Sequence, residues 1–180
     1  IRGEIFFARR WLLVEGQSDY HLVHGIAKGL DYDLDENGVA VIDFQNCGNP
    51  EIFAVLARAL HYPWLIVVDG DAAGQGYLAK IAGRSFSPQE MARRSFSLPV
   101  GYLEQQLVAD GLQAELKAIL VSLGNAAAAN LDDAALITTL TRDKSGYAAV
   151  LAKQCAESPA LAQRMPAPFR NAILSLRGLT

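Results

Sequence analysis

Two short apolar runs that stop abruptly at acid constrain this chain more than any other feature. Trp11-Leu12-Leu13-Val14 ends at Glu15-Gly16, and Trp64-Leu65-Ile66-Val67-Val68 ends at Asp69-Gly70-Asp71. Short apolar runs bounded by glycine read as strands of a parallel sheet covered on both faces. Ligands of such sheets bind outside the strand carboxyl ends, which is where these acids fall. If the two strands lie side by side, Glu15, Asp69 and Asp71 converge, and Asp19, one turn further on, joins them. Four carboxylates in one crevice cannot all stay ionised uncompensated, because each raises its neighbours' pKa, so the cluster predicts bound cations. An all-oxygen donor set selects Mg²⁺, Mn²⁺ or Ca²⁺ over zinc.

The remaining pattern places these runs in an α/β succession. Ser18 is positioned to cap a helix carrying Leu22, Val23, Ile26, Ala27 and Leu30 at three- and four-residue steps. A strand is predicted over 38–44 and a helix over 50–60, before the Trp64 strand delivers Asp69. Strand alternating with helix across short connections is the signature of right-handed βαβ units. After Gly76 the pattern changes, with a short helix from Ser87-Pro88 and a short strand over 94–98. From Gly101 onward the periodicity is helical, through Leu103–Val108, Leu112–Leu123, Ala134–Leu140, Tyr147–Cys155 and Phe169–Leu176, with the Ala126–Ala129 run read as a loop or frayed turn.

Composition sets bounds. A chain of 180 residues can bury one substantial core. No apolar run approaches the roughly 20 residues a membrane-spanning helix needs, so a soluble domain is expected. Cys47 and Cys155 lie far apart, with no zinc-ligand spacing, and read as free thiols of a reducing cytoplasm. A net charge of −3 argues against a broadly basic surface, although cations held by acids would reverse the sign locally. The chain opens on Ile1 and enters its first strand within about ten residues, which suggests a fragment of a longer polypeptide.

The segment from Trp11 through Glu15-Gly16-Gln17-Ser18-Asp19, followed by Trp64 through Asp69-Gly70-Asp71, resembles the Toprim domain shared by topoisomerases, primases and certain nucleases. Asp19 four residues after Glu15, the strand and turn over 38–49, and a later Leu103-Glu104 and Lys144 resemble, within that group, the overcoming-lysogenization-defect (OLD) nucleases. The resemblance implies a Toprim-type, Rossmann-like parallel sheet with helices on both faces over 1–100, and a helical region over 101–180 packed on it. It implies a DNA endonuclease using two divalent cations, Mg²⁺ or Mn²⁺, with Ca²⁺ as a non-catalytic substitute. The implied ligands are Glu15, Asp19, Asp69, Asp71 and Glu104. Glu15, Asp69, Asp71 and Lys144 are the implied catalytic set, with Lys144 steadying the phosphate or protonating the departing oxygen. Many Toprim enzymes carry a further acid two residues past the Asp-x-Asp. Here Ala73 stands there, so the second ion would rely on Glu15, Asp19 and Glu104. The family also implies an N-terminal ABC-type ATPase domain, with dimerisation through it. This chain has no GxxxxGK[ST] loop, so that domain would lie upstream of Ile1.

Blander roles compete residue by residue. Taken singly, Asp19 and Asp71 suit the first turn of a helix, where the dipole favours anions, and Glu104 suits a solvated helix face. Arg84, Arg94 and Arg142 are candidate DNA phosphate contacts, although arginines between elements are mostly solvated. Asp31, Asp33 and Asp35 resemble a calcium loop, but Glu36 and Ile42 occupy the positions of its glycine and closing glutamate. His21, His24 and His61 lack partners at zinc spacing. Two other functions remain open. One is an Asp-x-Asp phosphatase or other Mg²⁺-dependent phosphoryl-transfer enzyme; the other is a non-catalytic metal-binding regulatory module.

Overall fold

A computed structural model describes residues 3–142 and 144–179. The elements run β1 (Arg10–Val14), α1 (Gln17–Gly29), β2 (Val39–Asp43), α2 (Phe44–Cys47), α3 (Pro50–Ala59), β3 (Trp64–Val68), α4 (Ala72–Ala82), α5 (Pro88–Arg94) and β4 (Ser95–Ser97). The helical half follows as α6 (Leu103–Ala109), α7 (Gln113–Ser122), α8 (Asp133–Arg142), α9 (Lys144–Glu157), α10 (Pro159–Ala162) and α11 (Ala167–Gly178), with 3-10 turns at Gly3–Phe6 and Ala126–Asn130. The four strands form one parallel sheet in the order β2-β1-β3-β4. β1 and β3 are neighbours, registered Trp11↔Trp64, Leu12↔Leu65 and Leu13↔Ile66.

Alternation along the two central strands divides the interior. Leu12, Val14, Leu65 and Val67 point to the face covered by α1 and the helical half. Trp11, Leu13, Trp64, Ile66 and Val68 point to the face covered by α3 and α4, where Phe53 and Phe86 meet the indoles edge-on. Burial on both faces explains why these runs are continuously apolar rather than alternating. Replacing either fully buried tryptophan by alanine would cost about 3–5 kcal/mol.

Helix α9 reaches the sheet through α1. A Cβ at Gly25 would lie 2.1 Å from the Ala152 carbonyl oxygen, and one at Gly29 2.1 Å from that of Cys155. Two bare glycines one turn apart therefore let the helix backbones touch, which fixes how closely α9 lies on α1.

Several local expectations change. Gly16, not Ser18, is the N-cap of α1, because Asp19 reaches back to accept the Gly16 N–H at 2.9 Å. Helix α4 is not anticipated by the apolar pattern; only Gly74 and Ile81 in it are buried, so its amphipathic signal is faint. The alanine run forms the second 3-10 turn, held by a fully buried Ala128. Among the described residues no helix is long and apolar enough to cross a membrane.

Candidate metal centre

The neighbouring exits of β1 and β3 bring the first acids together. Glu15 leaves β1, and its Oε2 accepts the backbone N–H of Asp69 at 3.0 Å, across the gap between the strands. Its Oε1 accepts from Gln45 Nε2 at 3.2 Å, while the Gln45 N–H donates to the Glu15 carbonyl, also at 3.2 Å. Asp19 sits in the first turn of α1, buried, with one oxygen on the Gly16 N–H.

Strand geometry does not persist through Gly70. β3 ends at Val68, and Asp71 becomes the N-cap of α4, accepting the Gly74 N–H at 2.9 Å. Asp69 and Asp71 are therefore related by a turn and not as alternate residues of one strand. That turn is clamped to the loop after β4. The Gly70 N–H donates to the Gly101 carbonyl at 2.6 Å, and a Cβ at Gly70 would lie 2.1 Å from the Leu98 carbonyl oxygen. The same loop leads into α6, whose first turn carries Glu104. Glu104 is 1 % exposed, and its Oε1 accepts from the hydroxyl of Tyr147 at 3.0 Å.

These elements enclose a crevice of about 430 Å³ lined by Glu15, Asp19, Asp69, Glu104, Gln45 and Arg142, among others. The Asp69 carboxyl is pushed up to about 8, first by burial and then by the charges of Asp19, Glu15, Asp71 and Glu104. Asp71 thus acts on Asp69 electrostatically without lining the crevice. The donors are hard carboxylate oxygens whose mutual repulsion a divalent cation would relieve, and in that respect they fit Mg²⁺ or Mn²⁺. They line the cavity rather than close on one point: among the described residues, no three His, Cys, Asp or Glu side chains form a compact ligand group.

Other positions singled out in the sequence are dispersed. Arg142, at the end of α8, lines the crevice. Arg94 stacks over Trp64 at 5.2 Å and donates to its carbonyl at 3.3 Å. Trp64 begins β3, so Arg94 sits about 13 Å along the strand from the acid end. The Arg84 carbonyl accepts from Arg58 in the last turn of α3, toward that same far rim. Lys144 opens α9, but its side chain lies outside the described residues. The Asp33 carboxylate is occupied by the N–H groups of Asp35 and Glu36 as a local turn.

Two contributors were not visible as such in the sequence. Gln45 follows β2, and the strand-exit rule that selected the acids extends to it. Tyr147 carries no sequence signal, since on an apolar helix it reads as core. Burial raises its hydroxyl well above the usual tyrosine range, and the Glu104 charge and hydrogen bond reinforce this, so it stays a donor to Glu104.

Comparison with known proteins adds a family context. A family model for the TOPRIM domain of overcoming-lysogenization-defect-like proteins matches residues 6–71. The uncharacterized protein YbjD of Escherichia coli is 31 % identical over 111 residues, 61 % of this chain and 20 % of its own length. The OLD nuclease of Thermus scotoductus is 34 % identical over 70 residues, 39 % of this chain and 13 % of its own length. The chain thus spans a small part of these relatives. The C-terminal region of the Xanthomonas campestris OLD protein superposes with a TM-score of 0.72 at 24 % identity, over 98 % of this chain and 95 % of that one. That of Burkholderia pseudomallei gives 0.71 at 22 %, over 96 % and 98 %. At such identities the likeness concerns the fold.

Proposed function

We propose that this chain, whose residues 6–71 match the TOPRIM-domain model of OLD-like proteins and whose fold is that of OLD C-terminal regions, is the catalytic region of a metal-dependent DNA endonuclease. The observation that carries this reading is the meeting of Glu15, Asp19, Asp69 and Glu104 on one crevice, with Asp69 pushed up to about 8 by the others and by burial. Glu15, Asp19, Asp69 and Glu104 would hold two Mg²⁺ or Mn²⁺ ions, with Asp71 joining them through the carboxylate oxygen that does not accept from Gly74. When bound, such ions activate water for attack on a phosphodiester and stabilise the charge on the leaving oxygen.

The chain's own groups prepare that chemistry. Glu15 is oriented from both sides, by the Asp69 N–H and by Gln45, so its carboxylate would meet an ion in one pose. Tyr147 does the same for Glu104. Arg142 on the rim would receive a DNA phosphate. Lys144 is assigned to steady the phosphate or to protonate the departing oxygen. Phosphate contacts carry no sequence information, so cleavage with little sequence preference is expected. The larger polypeptide in this reading is an OLD-family ATPase-nuclease that dimerises through its upstream ATPase domain.

Supercoiled plasmid incubated with the protein should be nicked or linearised in Mg²⁺ or Mn²⁺. EDTA and the Asp69→Ala variant should each abolish this. Cleavage that survives either would overturn the mechanism. The Asp-x-Asp phosphatase loses support because Asp69 shares its crevice with Glu15, Asp19 and Glu104 from other elements rather than with an Asp-x-Asp pair alone. Turnover of small phosphate esters would restore it.

A further inference from the structure

We propose that the open edge of β2 is a docking site for an extended polypeptide segment bearing basic side chains, which adds beside Val41 as a fifth strand. β2 is the terminal strand of the sheet, registered on β1 as Arg10↔Val39, Leu12↔Val41 and Val14↔Asp43. The Arg10 N–H donates to the Gly38 carbonyl at 3.2 Å. Parallel ladders engage alternate residues, so Ala40 and Ile42 turn their N–H and C=O groups toward β1, while Val39, Val41 and Asp43 turn theirs outward. The Val39 N–H is satisfied by the Leu34 carbonyl at 2.8 Å. The N–H and C=O of Val41 are left, among the described residues, without a backbone partner on the outer side. Unpaired edge groups of this kind are templates for strand addition.

The edge also lies in a groove shaped for side chains. A cavity of about 740 Å³ follows the whole of β2, with Tyr20, His21 and His24 of α1 on one side and Ile5, Phe7 and Phe53 on the other. An added strand would send alternate side chains to these two walls. His24 Nε2 is buried with no hydrogen-bond partner among the described residues, and Phe7 is 89 % exposed. Both would gain contacts from an occupant.

Charge selects the occupant. Among the described residues the lining carries Asp35 and Asp43, the latter also capping α2, and no Lys or Arg. A DNA backbone is therefore repelled, although Gln17 joins this groove to the acid-lined crevice. A second copy of β2 brings no cation to these acids. A strand with Lys or Arg satisfies both the edge and the rim.

The test is fluorescence anisotropy of a labelled peptide of alternating valine and lysine, titrated with the intact chain. Saturable binding is expected, weakened about tenfold or more when glutamate replaces lysine in the probe, when alternate peptide nitrogens are methylated, or in Val41→Pro. Proline is tolerated where the N–H faces outward from an edge strand, so Val41→Pro should keep its circular dichroism and any plasmid cleavage. The methylated probe asks the same question of the unaltered protein, should that variant not fold. Absence of saturable binding overturns the proposal, as does equal binding of the glutamate or methylated probe. A concentration-dependent dimer lost in Val41→Pro would make the occupant a second copy and likewise overturn it. None of these outcomes depends on nuclease activity.

Discussion

Asp69 bears the electrostatic load of the crevice, and its titration gives the site a pH signature. Its pKa rises from 3.8 to about 8, chiefly through burial and then through Asp19 and Glu15. Between those values the folded metal-free chain binds a proton that the unfolded chain does not. The associated stability is fully present below the lower value and is lost as pH rises through the upper one. The metal-free protein should therefore melt at a lower temperature at about pH 8 than at about pH 6, and Asp69→Asn should flatten that slope. Thermal melts in EDTA at the two pH values check this; an unchanged slope in the variant would show that Asp69 is not the group responsible. Tyr147 offers a second measurement. Tyr147→Phe fills the same buried space but removes the donor to Glu104, whose carboxylate is 1 % exposed. Hydrogen bonds to charged groups contribute about 1.5–3 kcal/mol, so a urea-unfolding loss of that size is expected. Weaker divalent-ion binding by calorimetry should accompany it if Tyr147 positions a ligand rather than merely packing.

At the level of elements, the crossing of α1 and α9 is the most sensitive contact. Gly25→Val would place its Cβ 2.1 Å from the Ala152 carbonyl oxygen, so the backbones must separate. Overpacking of this kind typically costs about 1–3 kcal/mol and more where backbone must move, and a clear fall in melting temperature is expected. Because α9 carries Tyr147, ion binding should weaken as well. Such a contact shows the limit of reading elements from sequence. The apolar face of α1 was legible from Leu22, Val23 and Ile26, but the role of Gly25 and Gly29 depends on which helix lies opposite, and periodicity does not name partners. The strands were legible because burial on both faces makes them continuously apolar. Helix α4 was not, because it buries little, although Asp71 was legible as suited to a helix start and does cap α4 through Gly74. The acids at the strand exits were found by position; Gln45 and Tyr147, which orient two of them, act through contacts that only the folded chain creates.

For the whole molecule, the question is whether the sheet can stand without the helical half. Leu12, Val14, Leu65 and Val67 lie at 2 % exposure or less in one cluster with residues of α6, α7, α8, α9 and α11. Helix α1 contributes Leu22, Val23 and Ile26 to the same cluster, at 0 %. Each such side chain is worth about 1.5–3 kcal/mol of burial, whereas a domain's net stability is about 5–15 kcal/mol. Exposing even part of this face therefore consumes the margin. A fragment ending at Val100 should lack a cooperative thermal transition and bind the dye ANS, while the intact chain melts cooperatively without binding it. Divalent ions should not rescue the fragment, because Glu104 and Tyr147 leave with the helices. A cooperative, dye-silent fragment would mean that α1 and the strands close their own core. In that case the helical half would serve only to complete the crevice, and the energetic unity of the two halves would have to be abandoned.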